Sequence, residues 1–139
     1  MKNLIVVRGV ANTGKSESIK IAYQMFKTAY PRAKIQELFV GVDITIIITI
    51  NGVKVGIESQ GDPSSKLFRS LKHFVRTDCQ LIICATRTRG GTVDAVNALS
   101  RKYEVNWIDK TRIPNPKRWK LNNRSVAREI FEATQHLHL

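Results

Sequence analysis

The sequence predicts an α/β protein, a three-layer sandwich on a mainly parallel central sheet with one antiparallel hairpin strand. Three observations predict it. Short runs rich in Val and Ile alternate with segments whose apolar residues recur at helical spacing, an order that builds βα units. Asn51-Gly52 separates two β-rich runs, the strongest short-range hairpin signal. Leu81 to Ala85 is apolar without interruption, as a strand becomes when both faces of a parallel sheet are covered.

The elements follow in order. Leu4 to Val7 is a short apolar strand, and Ile19, Ala22, Phe26 and Ala29 then mark a helix from about Lys15 to Ala29. The helix stops near Tyr30, because Pro31 disfavours helical geometry in the residue before it. Residues 31 to 37 read as a polar connection. From Phe39 to Ile50 the residues Val40, Val42, Ile44, Ile46, Ile48 and Ile50 form one alternating face, and Val53 to Ile57 returns as the second hairpin strand. Asp62 is placed to cap a helix with Pro63 at its first position; that helix carries Leu67, Phe68, Leu71, Phe74 and Val75. After the strand 81 to 85, Thr92 is placed to cap a helix bearing Val93, Val96 and Leu99. Val105 to Ile108 is a short strand, 109 to 122 a basic loop punctuated by proline, and a last helix buries Val126, Ala127, Ile130, Phe131 and Leu137.

The chain has 139 residues, 42% of them hydrophobic, enough for one domain spanning 1 to 139 with a substantial core. Met1-Lys2-Asn3 leads straight into the first strand and no apolar run nears the ~18 residues of a membrane span. A cytoplasmic protein is expected, with no membrane partner. Cys79 and Cys84 lie at the two ends of one apolar run, too far apart along an extended backbone for a bridge, and are expected as buried thiols. His73, expected at the surface, His136 and His138 are assigned no metal.

Net charge is +12, from 23 basic and 11 acidic side chains. Such an excess points to a polyanionic partner or to a nucleotide site with surplus charge left on the surface. The bases are densest at Arg87, Arg89, Lys110, Arg112, Lys117, Arg118, Lys120 and Arg124.

Gly9-Val10-Ala11-Asn12-Thr13-Gly14-Lys15-Ser16 fits G-x-x-x-x-G-K-[ST] between the first strand and the first helix. Glycines at 9 and 14 let the backbone turn so that successive N–H groups point at phosphate oxygens, and the helix N-terminus adds its own N–H groups and dipole. In this stretch the chain resembles the P-loop NTPase superfamily, with a loosely GTPase-like strand order. The resemblance implies a single P-loop nucleotide-binding domain holding ATP or another nucleoside triphosphate with Mg²⁺. Gly9, Asn12, Thr13, Gly14, Lys15 and Ser16 would form the cradle. Lys15 would reach the β- and γ-phosphates as a catalytic charge, and the Ser16 hydroxyl would ligate the metal.

P-loop enzymes also hold Mg²⁺ through an acid at the end of a neighbouring strand, and Glu58 and Asp62 are the candidates. Glu58-x-x-Gly61 is similar to a small-GTPase pattern that begins with Asp. The strand 81 to 85 is followed by Thr86-Arg87-Thr88-Arg89 and not by the Asn-Lys-x-Asp guanine signature, so ATP is expected over GTP. Arg87 and Arg89, before the Gly90-Gly91 hinge, stabilise a transferring phosphoryl group, grip a phosphorylated acceptor, or face water. Thr111 and Trp119 are the candidate nucleotide contacts of the loop 109 to 121. Trp119, set in Lys117-Arg118-Trp119-Lys120, stacks on a base of nucleotide or single-stranded nucleic acid, or packs over the sheet edge, as does Trp107. The function implied is an ATPase or small phosphotransferase. The alternative is a nucleic-acid-binding module with a regulatory or vestigial nucleotide loop.

Overall fold

The computed structural model describes residues 2–61 and 65–135. Asp62 and Pro63, expected to start the second helix, and the expected residues His136, Leu137 and His138 lie outside them. The chain runs β1 (Lys2–Arg8), α1 (Lys15–Ala29), β2 (Lys34–Val40), β3 (Ile44–Ile50), β4 (Val53–Glu58), α2 (Ser65–Arg76), β5 (Leu81–Thr86), α3 (Gly91–Asn97), β6 (Tyr103–Asp109), a 3₁₀ turn at Pro116–Arg118 and α4 (Trp119–Gln135). It is an α/β fold on one mixed six-stranded sheet, in the order β2-β3-β4-β5-β1-β6. No described helix is long and apolar enough to cross a membrane.

β1 pairs in parallel with β5 and β6, and β4 in parallel with β5, while β3 is antiparallel to both β2 and β4. The Asn51-Gly52 hairpin forms as its residues dictate: Ile50 faces Val53, and both turn residues take positive φ, 50° and 82°. Along β1 the side chains alternate between two buried clusters. Ile5 and Val7 join Ile19, Phe26, Ala127 and Ile130 of α1 and α4; Leu4 and Val6 join Leu67, Phe74 and Val96 of α2 and α3. On the first face the helices close directly on one another, with the rings of Phe26 and Phe131 5.4 Å apart.

Several expectations are corrected. Residues 31 to 37 are not merely a connection, because β2 begins at Lys34, and the run Phe39 to Ile50 is two strands broken at Gly41-Val42-Asp43. β2 is an edge strand with all seven residues exposed, so it has no buried face to impose an apolar alternation. α3 is capped by Gly90 at φ 94°. The buried Thr92 is the second residue of the helix, and its hydroxyl accepts the Arg87 N–H at 3.0 Å. α4 starts at Trp119, inside the stretch expected to be loop. His73, expected at the surface, is half-buried there. Cys79 and Cys84 are free, buried thiols as expected, and complete burial pushes the Cys84 thiol far up.

Gly56, on β4, shows how closely α2 is seated. A Cβ there would lie 2.5 Å from the Phe74 ring. Gly56→Ala is expected to cost about 2 kcal/mol in chemical denaturation, since the ring that the new methyl would strike is fully buried.

Candidate phosphate-binding loop

The loop from Gly9 to Ser16 leaves the C-terminal end of β1, where its neighbours hold it from both sides. Gly9 donates its N–H to Thr86 O at 3.1 Å, and Lys110 beyond β6 donates its own to Arg8 O at 2.8 Å. This brings backbone so close that a Cβ on Gly9 would sit 2.4 Å from the Lys110 carbonyl oxygen. Gly14 takes φ 84° as the N-cap of α1, and a Cβ there would lie 2.3 Å from Asn123 Oδ1. Asn12 also turns left-handed, at φ 60°, which asparagine tolerates better than most residues. Thr13 Oγ1 ties the turn internally by donating to Val10 O at 3.0 Å.

Lys15 is only 7% exposed. Its ammonium curls back over the loop, donating to the carbonyls of Gly9 and of Val10, the latter at 3.3 Å. No side chain caps α1; its first turn closes through Ser18 N–H to Gly14 O at 3.0 Å. A cation thus lies folded over a glycine turn at an uncapped helix start, where the helix dipole adds partial positive charge.

Ser16 donates its hydroxyl to Asp43 Oδ1 at 2.8 Å, and Ser59 donates to the same oxygen at 2.9 Å. Ser59 Oγ in turn accepts the Ile44 N–H at 2.9 Å, which locks the start of β3 to the end of β4. The Asp43 turn is held against α1 by Lys20, whose ammonium donates to Val42 O at 2.8 Å. A cleft of about 300 Å³ opens here between the 9–16 loop, Asp43 and Ser59 to Gly61.

Of the candidate acids, Glu58 does not join Ser16. It is fully buried at the end of β4 and accepts from Thr45 Oγ1 at 2.7 Å, Ser70 Oγ at 2.5 Å and the Gln60 N–H at 3.0 Å. Its strand is also not a neighbour of β1, since β5 lies between them. Asp62 lies outside the described residues. The carboxylate beside Ser16 is Asp43, which the sequence reading missed. Its signal was available: Gly and Asp two apart within a long β-run mark a turn, and turns at strand ends carry functional side chains.

Glu58→Gln is expected to lower stability by about 1–3 kcal/mol, because the amide cannot accept all three donors that the carboxylate satisfies. Guanidinium chloride unfolding measures it.

A second cavity of about 460 Å³ adjoins the loop on its other side, sharing Asn12, Thr13 and Gly14 with the first. Its far wall is Trp119, Asn122 and Asn123 of α4 with Arg112 to Pro114. Trp119, 53% exposed, donates its indole N–H to Ile113 O at 2.7 Å and so fixes its ring against that segment. Lys110 is buried, donates to Asn122 Oδ1, and its ammonium is held below the usual lysine range by desolvation. Asn123 was missed as well. It continues the buried stripe of Val126, Ala127 and Ile130, and a polar residue on such a stripe is a legible signal.

The remaining expected residues are not brought to either cavity. Thr111 is exposed and lines neither. Arg87 is half-buried and Arg89 exposed, and neither lines the cleft, although their loop begins beside Gly9. Trp107 packs on the β6 edge under the Arg8 guanidinium, 4.5 Å from its ring centre, while Arg8 also grips Asp109 at 2.6 and 3.1 Å. No family model, curated protein sequence or solved structure matches this chain.

Proposed function

We propose that the chain binds a nucleoside triphosphate with Mg²⁺, ATP in preference to GTP, and acts as an ATPase or small phosphotransferase. The observation that carries this reading is the 9–16 loop itself. Two of its glycines stand where a Cβ would strike a neighbour, a lysine ammonium lies over its carbonyls, and the following serine meets a carboxylate. The reading includes a three-layer, mainly parallel fold of the P-loop NTPase kind. Three of the five strand pairings are parallel and helices contribute to buried clusters on both sheet faces, which supports it.

The residues fit both groups. Phosphate oxygens suit the glycine turn, the α1 start and Lys15, whose ammonium lies at the loop. Mg²⁺ suits the hard oxygen donors Ser16 and Asp43, since this ion is commonly bound through one or two carboxylates plus substrate phosphates. When bound, the ion would neutralise phosphate charge. Ser59 and Lys20 hold Asp43 in place for that task. The second cavity suits a nucleobase: Trp119 offers a ring face, and Asn12, Asn122 and Asn123 offer amides able to donate and accept.

Thermal-shift measurements with nucleoside tri- and monophosphates, with and without Mg²⁺, test the proposal. A ligand at 100 times its Kd stabilises by about 2.7 kcal/mol, so ATP with Mg²⁺ should raise the unfolding temperature visibly. No stabilisation by any triphosphate refutes it. Asp43→Asn is expected to weaken ATP binding about tenfold in Mg²⁺, roughly the worth of one charge-assisted ligand contact, and to leave metal-free binding unchanged. Titration calorimetry in Mg²⁺ and in chelator separates the two.

A second reading, single-stranded nucleic acid on the start of α4, is favoured by one observation: Lys117, Arg118, Lys120 and Arg124 are all exposed around the half-exposed Trp119. It requires log K for an oligonucleotide to fall linearly with log salt, and Lys117, Arg118 and Lys120 changed together to Ala to flatten that slope by about two units.

A further inference from the structure

The two faces of the sheet are finished differently. α1 and α4 close on each other, whereas α2 and α3 touch only sparsely and leave an open groove of about 480 Å³ between them. Phe68, Leu71 and Val75 line it from α2, at i, i+3 and i+7, a stripe running along two turns; Ala95, Ala98 and Leu99 line it from α3 and its C-terminal turn. Phe68 is 48% exposed although its ring belongs to an apolar stripe. The alanines keep one wall low enough for a backbone to approach.

Charge on the walls is lopsided. Lys72 and Arg76 stand on the α2 rim, and Lys66 and Arg69 extend the same helix, which carries no acid; Asp94 alone stands on the α3 rim. We infer that this groove docks an amphipathic helix of a partner protein, with large apolar residues along its inner stripe and an acidic flank facing α2. Grooves between helices receive apolar side chains at i, i+3 and i+7, and the rim charges choose and orient the incoming helix. The groove lies outside both cavities at the 9–16 loop, with which it shares no residue. It therefore stands whether or not the chain binds nucleotide.

The test uses the full chain and two fluorescent 16-residue synthetic helices with the same leucine stripe, one flanked by Glu and the other by Lys, read by fluorescence anisotropy. The Glu peptide is expected to bind at least tenfold tighter than the Lys peptide. Phe68→Ala should weaken it about tenfold, and Lys72→Glu with Arg76→Glu should reverse the preference toward the Lys peptide. Lys15→Ala should leave the affinity for the Glu peptide unchanged. Circular dichroism confirms that the groove variants, altered only at the exposed side chains of Phe68, Lys72 and Arg76, remain folded, and amide shift perturbations in the wild type should fall on 68–76 and 94–99. Equal affinity for the two peptides, or no binding of either, overturns the inference. So does sedimentation showing that the free chain self-associates and that Phe68→Glu abolishes this, which would make a second copy the occupant. Displacement of the peptide by decanoate with no charge preference between peptides would make the groove a site for small amphiphiles and overturns it equally.

Discussion

If the proposed reading holds, Lys15→Ala is expected to weaken Mg²⁺-dependent nucleoside triphosphate binding severely and to leave the chain folded. In the structure the ammonium satisfies the carbonyls of Gly9 and Val10, and Val10 lies at the exposed tip of the loop. Water can replace the lysine there, so the loss to stability is about 1 kcal/mol or less. The loss to binding is larger, because a charge-assisted contact to phosphate has no substitute in the alanine variant: about 3 kcal/mol, or roughly 100-fold in Kd. Lys15→Arg is expected to fail nearly as badly, since a planar fork does not fold into the space that a point charge on a flexible stem occupies. Calorimetric titration with ATP and Mg²⁺, beside a thermal melt of each variant, measures both quantities. Wild-type affinity in Lys15→Ala would remove the phosphate cradle from the proposal.

Gly9→Ala has the largest effect expected on the fold. The added Cβ would lie 2.4 Å from Lys110 O and 3.1 Å from Thr13 Oγ1. The first of these is backbone and cannot move alone: Lys110 N–H is bonded to Arg8 O, and β6 is in register with β1 from Lys2↔Tyr103 to Arg8↔Asp109. Relief requires the ends of β1 and β6 to part, at a cost of about 3 kcal/mol, which lowers Tm by roughly 10 °C in a domain of this size. The proposed nucleotide binding should be lost with it, because the displaced strand end carries the loop. Gly52→Ala is the control. Nothing lies within 4 Å of its Cβ, so only the positive φ of 82° is penalised, about 1 kcal/mol. Melts of the two variants by circular dichroism should differ by several degrees, and equal melts would mean that the β1–β6 junction is more yielding than its hydrogen bonds indicate.

What the sequence by itself determined is what local chemistry dictates. Positive φ at Asn51 and Gly52 made the β3–β4 hairpin, Pro31 ended α1, and an uninterrupted apolar run made β5. The 9–16 loop was legible because all eight residues are adjacent in the chain. β2 was not, because a strand exposed along its whole length has no buried face to leave a period-two pattern. The acid beside Ser16 was not either. Asp43 lies 27 residues away, and only the turn between β2 and β3, held by Lys20 and Ser59, brings it to the loop. Glu58, which stands at a strand end as a metal ligand should, is instead consumed by Thr45, Ser70 and Gln60. A carboxylate's role depends on which donors reach it first. Those donors sit on β3, on α2 and in the loop after β4, so strand order and helix seating decided what spacing along the chain left open.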